Sequence, residues 1–282
     1  MSAPLPAPPS TTPKEVYGPA HAPIEIRLSN GGAGPTGILQ VLASDFLKSR
    51  GHQVRIAWYQ NHSAQSLQVL REGIVDMALV YEPKRAKEAI REGWASHYAL
   101  IFYDHFVIAG PKANPAGLAP ADSPKEAFSK IAKAARLAPE KGLFLSRDDH
   151  SSTNVKEQSI WRSIGLAPWK DNSAWYVKAH LFPKDTLSQA EVASLYILTD
   201  RGTWLSAPSL PKNLAIYTKG GKVLLNPCVA LLQPNPKPIV LEFLRYLQSA
   251  RAQQLIAQFK RGHPKGIPLF TRANQPEFDQ KA

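Results

Sequence analysis

From Ile24 onward, short apolar runs alternate with amphipathic stretches, and each change of period marks an element. Residues 24–28 read as a strand, 37–50 as a helix closed by Gly51, and Val54, Ile56 and Trp58 alternate as a second strand. A helix over 64–72 stops at Gly73, a strand covers 75–81, and a helix over 84–92 stops at Gly93. This βαβαβ order predicts a mainly parallel sheet covered by helices. The apolar run 99–109, interrupted by Asp104-His105 and ended by Gly110-Pro111, has the length of a strand that passes from one lobe to another. The alternation then restarts: helix 123–137, strand 143–145, helices 154–164 and 186–194, strand 195–199. A second run, 223–233, is placed to cross back. It leads to a helix over 238–261 with Pro238 at its start and Leu241, Leu244, Leu247, Leu255 and Phe259 on one stripe. Asn154 with Glu157, and Ser188 with Glu191, resemble capping boxes.

The expected fold class is therefore α/β with two lobes, each a mainly parallel sheet flanked by helices, joined by two crossing strands. Residues 1–23 form a disordered lead-in, because Pro4, Pro6, Pro8, Pro9, Pro13, Pro19 and Pro23 oppose regular pairing. Residues 24–106 make the first part of lobe 1, 107–222 make lobe 2, and 223–282 return to lobe 1 with the C-terminal helix. Ligands of open α/β sheets sit beyond the carboxyl ends of strands, which predicts a site in the cleft between the lobes. The loops at such ends are 29–35, 60–63 and 146–153.

The last of these loops has the best chemistry. Ser146, Arg147, Ser151, Ser152 and Thr153 lie between a strand and a helix start, where a forked guanidinium, hydroxyls and unpaired N–H groups suit an oxyanion. Asp148 and Asp149 oppose an anion unless they face outward or clamp Arg147, and a purely structural ion pair is the rival reading of that arginine. The first loop, Ser29-Asn30-Gly31-Gly32-Ala33-Gly34, has backbone amides free of bulky side chains. Its glycines do not follow G-x-G-x-x-G and no Gly-Lys-Ser/Thr ending follows, so a ligand loop and a flexible turn both remain open. In the middle loop Asn61, His62 and Ser63 are candidates, with Ser63 as a plain helix cap the competing role. His105 and His150 with Asp149 lack the paired spacing of a metal site.

Composition narrows the partners. The net charge of +12 favours anionic partners without choosing among nucleic acid, membrane and small oxyanion; Lys and Arg are scattered with no dense basic run, so a solvated basic surface is the competing reading and nucleic acid is not promoted. Cys228 is the single cysteine, excluding an intramolecular disulfide and any zinc cluster of several thiolates. No run approaches the roughly 20 apolar residues of a membrane span, and 1–23 lack the apolar core of a signal peptide. The chain as written is expected to be cytoplasmic and monomeric, and exported only if it is a processed form. No catalytic motif, cofactor or resident metal is indicated, and a non-enzyme is expected.

Several ordered segments resemble the tungstate-binding-protein-like branch of the type 2, phosphate-binding-like periplasmic substrate-binding superfamily. The family's Ser-Arg-Gly-Asp-x-Ser-Gly-Thr is matched by Ser146, Arg147, Asp149, Ser151 and Thr153, with Asp148 and Ser152 in place of glycines. Val75-Asp76-Met77-Ala78-Leu79-Val80, Phe106-Val107-Ile108-Ala109-Gly110-Pro111, Lys156-Glu157-x-x-Ile160-Trp161, Tyr196 to Trp204, Leu225-Asn226-Pro227 and Gly266-Ile267-Pro268-Leu269-Phe270 are similar to further family segments. The resemblance spans about 24–270 and implies a two-lobed binding protein for tungstate, molybdate or another small anion. Threonine-rich first and Gly-Thr-Gly second loops of the family are replaced by Ser29-Asn30-Gly31-Gly32-Ala33 and Asn61-His62-Ser63, and a Gly-Gln-Gly-Met segment by Ala179-His180-Leu181-Phe182. Exported family members serve a membrane transporter, a partner that the missing signal peptide puts in doubt. Two other readings stand beside the binding protein: an interaction or regulatory protein whose ligand site is lost or altered, and an enzyme using His62 or His150 as acid or base.

Overall fold

Alternating apolar and amphipathic segments fold as their periods require in a computed structural model that describes residues 8–171, 173–207, 211–260 and 268–276. Two units divide the chain: residues up to Tyr103 together with those from Pro227, and residues Asp104 to Asn226. In the first unit come β1 (Glu15–Tyr17), β2 (Ile24–Asn30), α1 (Ile38–Ser49), β3 (Arg55–Gln60), α2 (Ser63–Arg71), β4 (Met77–Val80) and α3 (Pro83–Arg91). Strand β2 is parallel to both neighbours, with Leu28 opposite Trp58 of β3 and Met77 of β4. Strand β5 (Ser96–Pro111) contains the boundary between the units.

The second unit holds α4 (Pro124–Leu137), β6 (Phe144–Ser146), α5 (Ser152–Ser163), β7 (Tyr176–Lys178), α6 (Pro183–Ala193), β8 (Tyr196–Asp200), α7 (Arg201–Ser206) and β9 (Leu214–Lys219). Strand β6 runs parallel to β7 and β8, while β5 is antiparallel to β8 and β9. The chain returns through β10 (Leu225–Leu232), antiparallel to β4, and ends in α8 (Pro238–Gln248), α9 (Ala250–Gln258) and β11 (Thr271–Arg272).

Three expectations are corrected. The proline-rich lead-in does pair: β1 lies antiparallel on β3, with Val16 opposite Ala57, because the prolines flank the proline-free window from Lys14 to Gly18 and leave its N–H groups intact. The expected helix over 238–261 is two helices, since Ser249 leaves helical geometry and its hydroxyl accepts from Ala252 N–H as the cap of α9. Arg261 of that expectation, Gly266 and Ile267 of the closing motif, and residues 1–7 lie outside the described residues. The expected capping boxes also shift. Ser151, not Asn154, caps α5, and Ser188 lies within α6 with its hydroxyl on the Lys184 carbonyl; boxes form instead at Ser123 with Glu126 on α4 and at His62 with Gln65 on α2.

Each unit has its own core. In the first, Ala57, Tyr59, Leu67, Val80 and Val229 pack α2 and α3 onto the sheet. In the second an aromatic cluster dominates: Trp161 lies 4.4 Å from Phe128 and 5.2 Å from Phe144, centroid to centroid. Trp161 is on α5 and Phe144 on β6, so this packing fixes the strand and helix that bracket loop 146–153.

Candidate functional site

Loop 146–153 is held from beneath by a buried carboxylate. Glu157, only 2% exposed, accepts from Ser146 Oγ at 2.6 Å, Trp161 Nε1 at 3.1 Å, Asn154 Nδ2 at 3.5 Å and the Tyr176 hydroxyl. Burial opposes its charge more strongly than these four donors favour it, and its pKa rises to about 7. Ser146 is thereby committed: its oxygen also accepts from Asp148 N–H at 3.2 Å and Asn154 Nδ2 at 3.2 Å.

Arg147 is 5% exposed. Its Nε donates to the Leu181 carbonyl at 3.3 Å and its Nη2 is paired with Asp149. Asp149 Oδ1 also accepts from Ser151 N–H at 3.0 Å, so one carboxylate fixes both the guanidinium and the start of α5. The arginine's Nη1 makes no hydrogen bond among the described residues. Asp148 turns to Lys178 Nζ at 3.5 Å and His180 Nε2 at 3.8 Å. Its φ of 43° is left-handed, which explains why the resembled motif has glycine there and why a short polar side chain substitutes tolerably. The two acids are thus divided between clamping Arg147 and facing Lys178 and His180.

Helix α5 begins beside this arginine. Ser151 Oγ accepts from Asn154 N–H, leaving the amides of Ser152 and Thr153 without intrahelical partners. The hydroxyls of Ser152 and Thr153 make no hydrogen bond among the described residues, and Thr153 is buried. Segment 179–182 is tied alongside through Ala179 N–H to the Ser146 carbonyl and His180 N–H to the Arg147 carbonyl; its Phe182 is 52% exposed.

In the first unit the polar side chains are spent on structure. Ser29 Oγ meets Ser66 Oγ at 2.9 Å, while Asn30 donates to the Leu79 carbonyl and accepts from Ala33 and Gly34 N–H. Asn61 donates to Ser29 Oγ at 3.2 Å. His62 caps α2 in a box with Gln65, displacing the expected cap Ser63, whose oxygen accepts from Tyr81 N–H. What the loops leave unspent is backbone: Gly31 and Gly32 N–H make no hydrogen bond among the described residues. Gly31 packs so closely on the Asn61 carbonyl that a Cβ would sit 2.7 Å from its oxygen.

Gly34 has a similar role. A Cβ there would overlap the ring of Trp58, whose Nε1 donates to the Asn30 carbonyl at 2.9 Å. Gly34→Ala is therefore expected to cost about 3 kcal/mol, read as a lowered urea midpoint at an unchanged m-value.

The histidines offer little acid–base chemistry here. His105 is buried, which with the nearby Arg201 charge pushes its pKa down to about 3, and His150 is an exposed loop residue. Among the described residues no group of three His, Cys, Asp or Glu side chains is placed to hold a metal ion. Sequence reasoning missed Glu157 as the strut below the loop and Gln65 as the partner of His62.

Known proteins share this architecture. A periplasmic protein provisionally assigned to metal binding is 34% identical, with a TM-score of 0.84 over 94% of this chain and 100% of its own. The tungstate-binding protein TupA from Desulfovibrio alaskensis G20 is 30% identical, with a TM-score of 0.75 over 91% and 100%. The tungstate ABC transporter structure from Geobacter sulfurreducens is 27% identical, with a TM-score of 0.73 over 86% and 100%. These likenesses overturn the expected cytoplasmic placement, since the first of these proteins is periplasmic and the third belongs to a transport system. The expectation rested on the composition of residues 1–23 alone. With the PBP superfamily domain matching residues 17–259, the chain belongs to the PBP superfamily, in its tungstate-binding-like type 2 branch.

Proposed function

We propose that this chain is an exported solute-binding protein that delivers a small tetrahedral oxyanion of the tungstate and molybdate class to an ABC transporter. The observation that carries the reading is Arg147: a nearly buried guanidinium, fixed by Asp149 and the Leu181 carbonyl, with Nη1 unspent in the same loop whose helix start leaves the hydroxyls and first-turn amides of Ser152 and Thr153 unbonded among the described residues. A pre-set cation with neutral donors around it binds an anion without reorganising. In the first unit, taken by itself, Gly31 and Gly32 N–H are a second pair of unspent donors suited to an anion.

The chemistry of the donors restricts the ligand. Asp149 has one oxygen on Arg147 and the other on Ser151 N–H, and Asn30 Oδ1 holds two backbone amides. A ligand that carries its own proton has to share these partly used acceptors or turn to the hydroxyls of Ser152 and Thr153, a poorer match than a dedicated carboxylate. Proton-free dianions are accordingly favoured over hydrogen phosphate. Isothermal titration with tungstate, molybdate, sulfate and phosphate at pH 7.5 tests this, with phosphate expected at least about tenfold weaker, the equivalent of one poorly satisfied hydrogen bond. Equal or tighter phosphate binding would refute the assignment of donors.

A further inference from the structure

The N-terminal stretch reaches the first unit's loops, and the geometry explains how. Because β1 is antiparallel to β3, the chain preceding it runs toward the carboxyl end of β3, where Asn61 begins the second loop. Lys14 N–H donates to the Trp58 carbonyl at 2.7 Å. Four residues earlier, Ser10 makes a two-point contact: its N–H donates to Asn61 Oδ1 at 2.7 Å, and Asn61 Nδ2 donates to the Ser10 carbonyl at 3.1 Å. Asn61 is 2% exposed, so both ends of its amide need protein partners. The same residue's main-chain carbonyl is the surface on which Gly31 rests, and its N–H donates to the Asn30 carbonyl at 3.3 Å.

We propose that the segment from Ser10 to Lys14 is a positioning element of the first unit's own loops: a main-chain clasp on Asn61 that sets Gly31 and Gly32 N–H as donors to an anion. The proposal rests on the oxyanion reading above, and it gives the lead-in a function that its proline content conceals. The clasp uses only backbone atoms of Ser10, while its hydroxyl donates to the Thr12 carbonyl at 3.0 Å, so Ser10→Ala is the control for the side chain and the N–H is what the clasp requires. Proline lacks that N–H, making Ser10→Pro in the full chain the informative substitution, while β1 keeps its own pairing.

Two readouts separate the clasp from the ligand assignment. In Ser10→Pro the Asn61 amide is expected to exchange with solvent about tenfold faster, and molybdate to bind about fivefold to tenfold more weakly, as for loss of one to two buried hydrogen bonds. Exchange around α5 stays the same. A chain lacking residues 2–12 but retaining Lys14 and β1 should behave alike, with its melting curve showing that it folds. Unchanged exchange at Asn61 overturns the clasp, as does unchanged molybdate affinity in a protein that binds. If the unsubstituted protein binds no oxyanion while Asn61 exchange still accelerates in Ser10→Pro, the clasp is upheld and the oxyanion reading is the one refuted.

Discussion

Arg147→Ala is expected to weaken oxyanion binding by at least about 100-fold. A charge-assisted hydrogen bond in a dry site contributes about 1.5–3 kcal/mol, and each 1.4 kcal/mol is a factor of ten. The substitution does more than remove the donor. Asp149, which now neutralises part of the guanidinium, keeps its charge next to the ligand with no partner but Ser151 N–H. Repulsion therefore adds to the loss, and Arg147→Ala with Asp149→Asn should recover part of the affinity. Arg147→Lys retains charge but loses the fork that serves Asp149, Leu181 and an anion together, so its affinity should fall between those of Arg147→Ala and the unsubstituted protein. The fold should survive, because Ser146 anchors the loop through Glu157 and Asp148 N–H independently of the arginine. Titration of the three variants with tungstate checks the order; an Arg147→Ala protein within threefold of the unsubstituted one removes Arg147 from the site.

The second large effect is on stability and its pH dependence. Glu157 is raised from 4.5 to about 7 by burial, so folding favours its protonated form. The sign follows directly: the contribution is fully present below pH 4.5 and is lost as pH rises through about 7, because the unfolded chain releases this proton first. A shift of that size amounts to about 3 kcal/mol between those limits. Asp104, buried beside Asp200, is shifted upward as well and contributes a slope of the same sign. Comparison with Glu157→Gln isolates the glutamate, since the substituted chain loses one titration and keeps the other. Urea unfolding from pH 4.5 to 8 should show a steeper loss for the unsubstituted protein. Parallel curves would show that four donors, not burial, govern Glu157.

How far the sequence discloses this depends on what kind of signal each residue carries. Period changes exposed most strands and helices from β2 to α8, because half-buried strands and one-sided helices write their environment into apolar spacing, but they missed β7, α7 and β9. Strand β1 was hidden because proline counts mask a three-residue pairing that uses only the gap between prolines. The break at Ser249 left the apolar stripe uninterrupted and so produced no change of period. In loop 146–153, the place of Arg147 between strand and helix was legible, and so was the choice facing its two acids. Which acid took which role required coordinates, as Asp148 and Asp149 are equivalent in composition and differ by a left-handed backbone. The same limit applies to Ser29, Asn30 and Asn61. They look like donors for a ligand in the sequence, but their amides and hydroxyls bond to Ser66, Leu79, Ser10 and one another. Nothing in a chain of letters distinguishes a polar side chain that awaits a ligand from one that closes a loop.

The central claim, an oxyanion held by Arg147, is tested most directly by native mass spectrometry of the protein dialysed free of anions and then mixed with one equivalent of tungstate or molybdate. The account predicts a single bound oxyanion on the unsubstituted chain and none on Arg147→Ala at the same concentration. No adduct with either anion, or an adduct that survives the substitution undiminished, would contradict it.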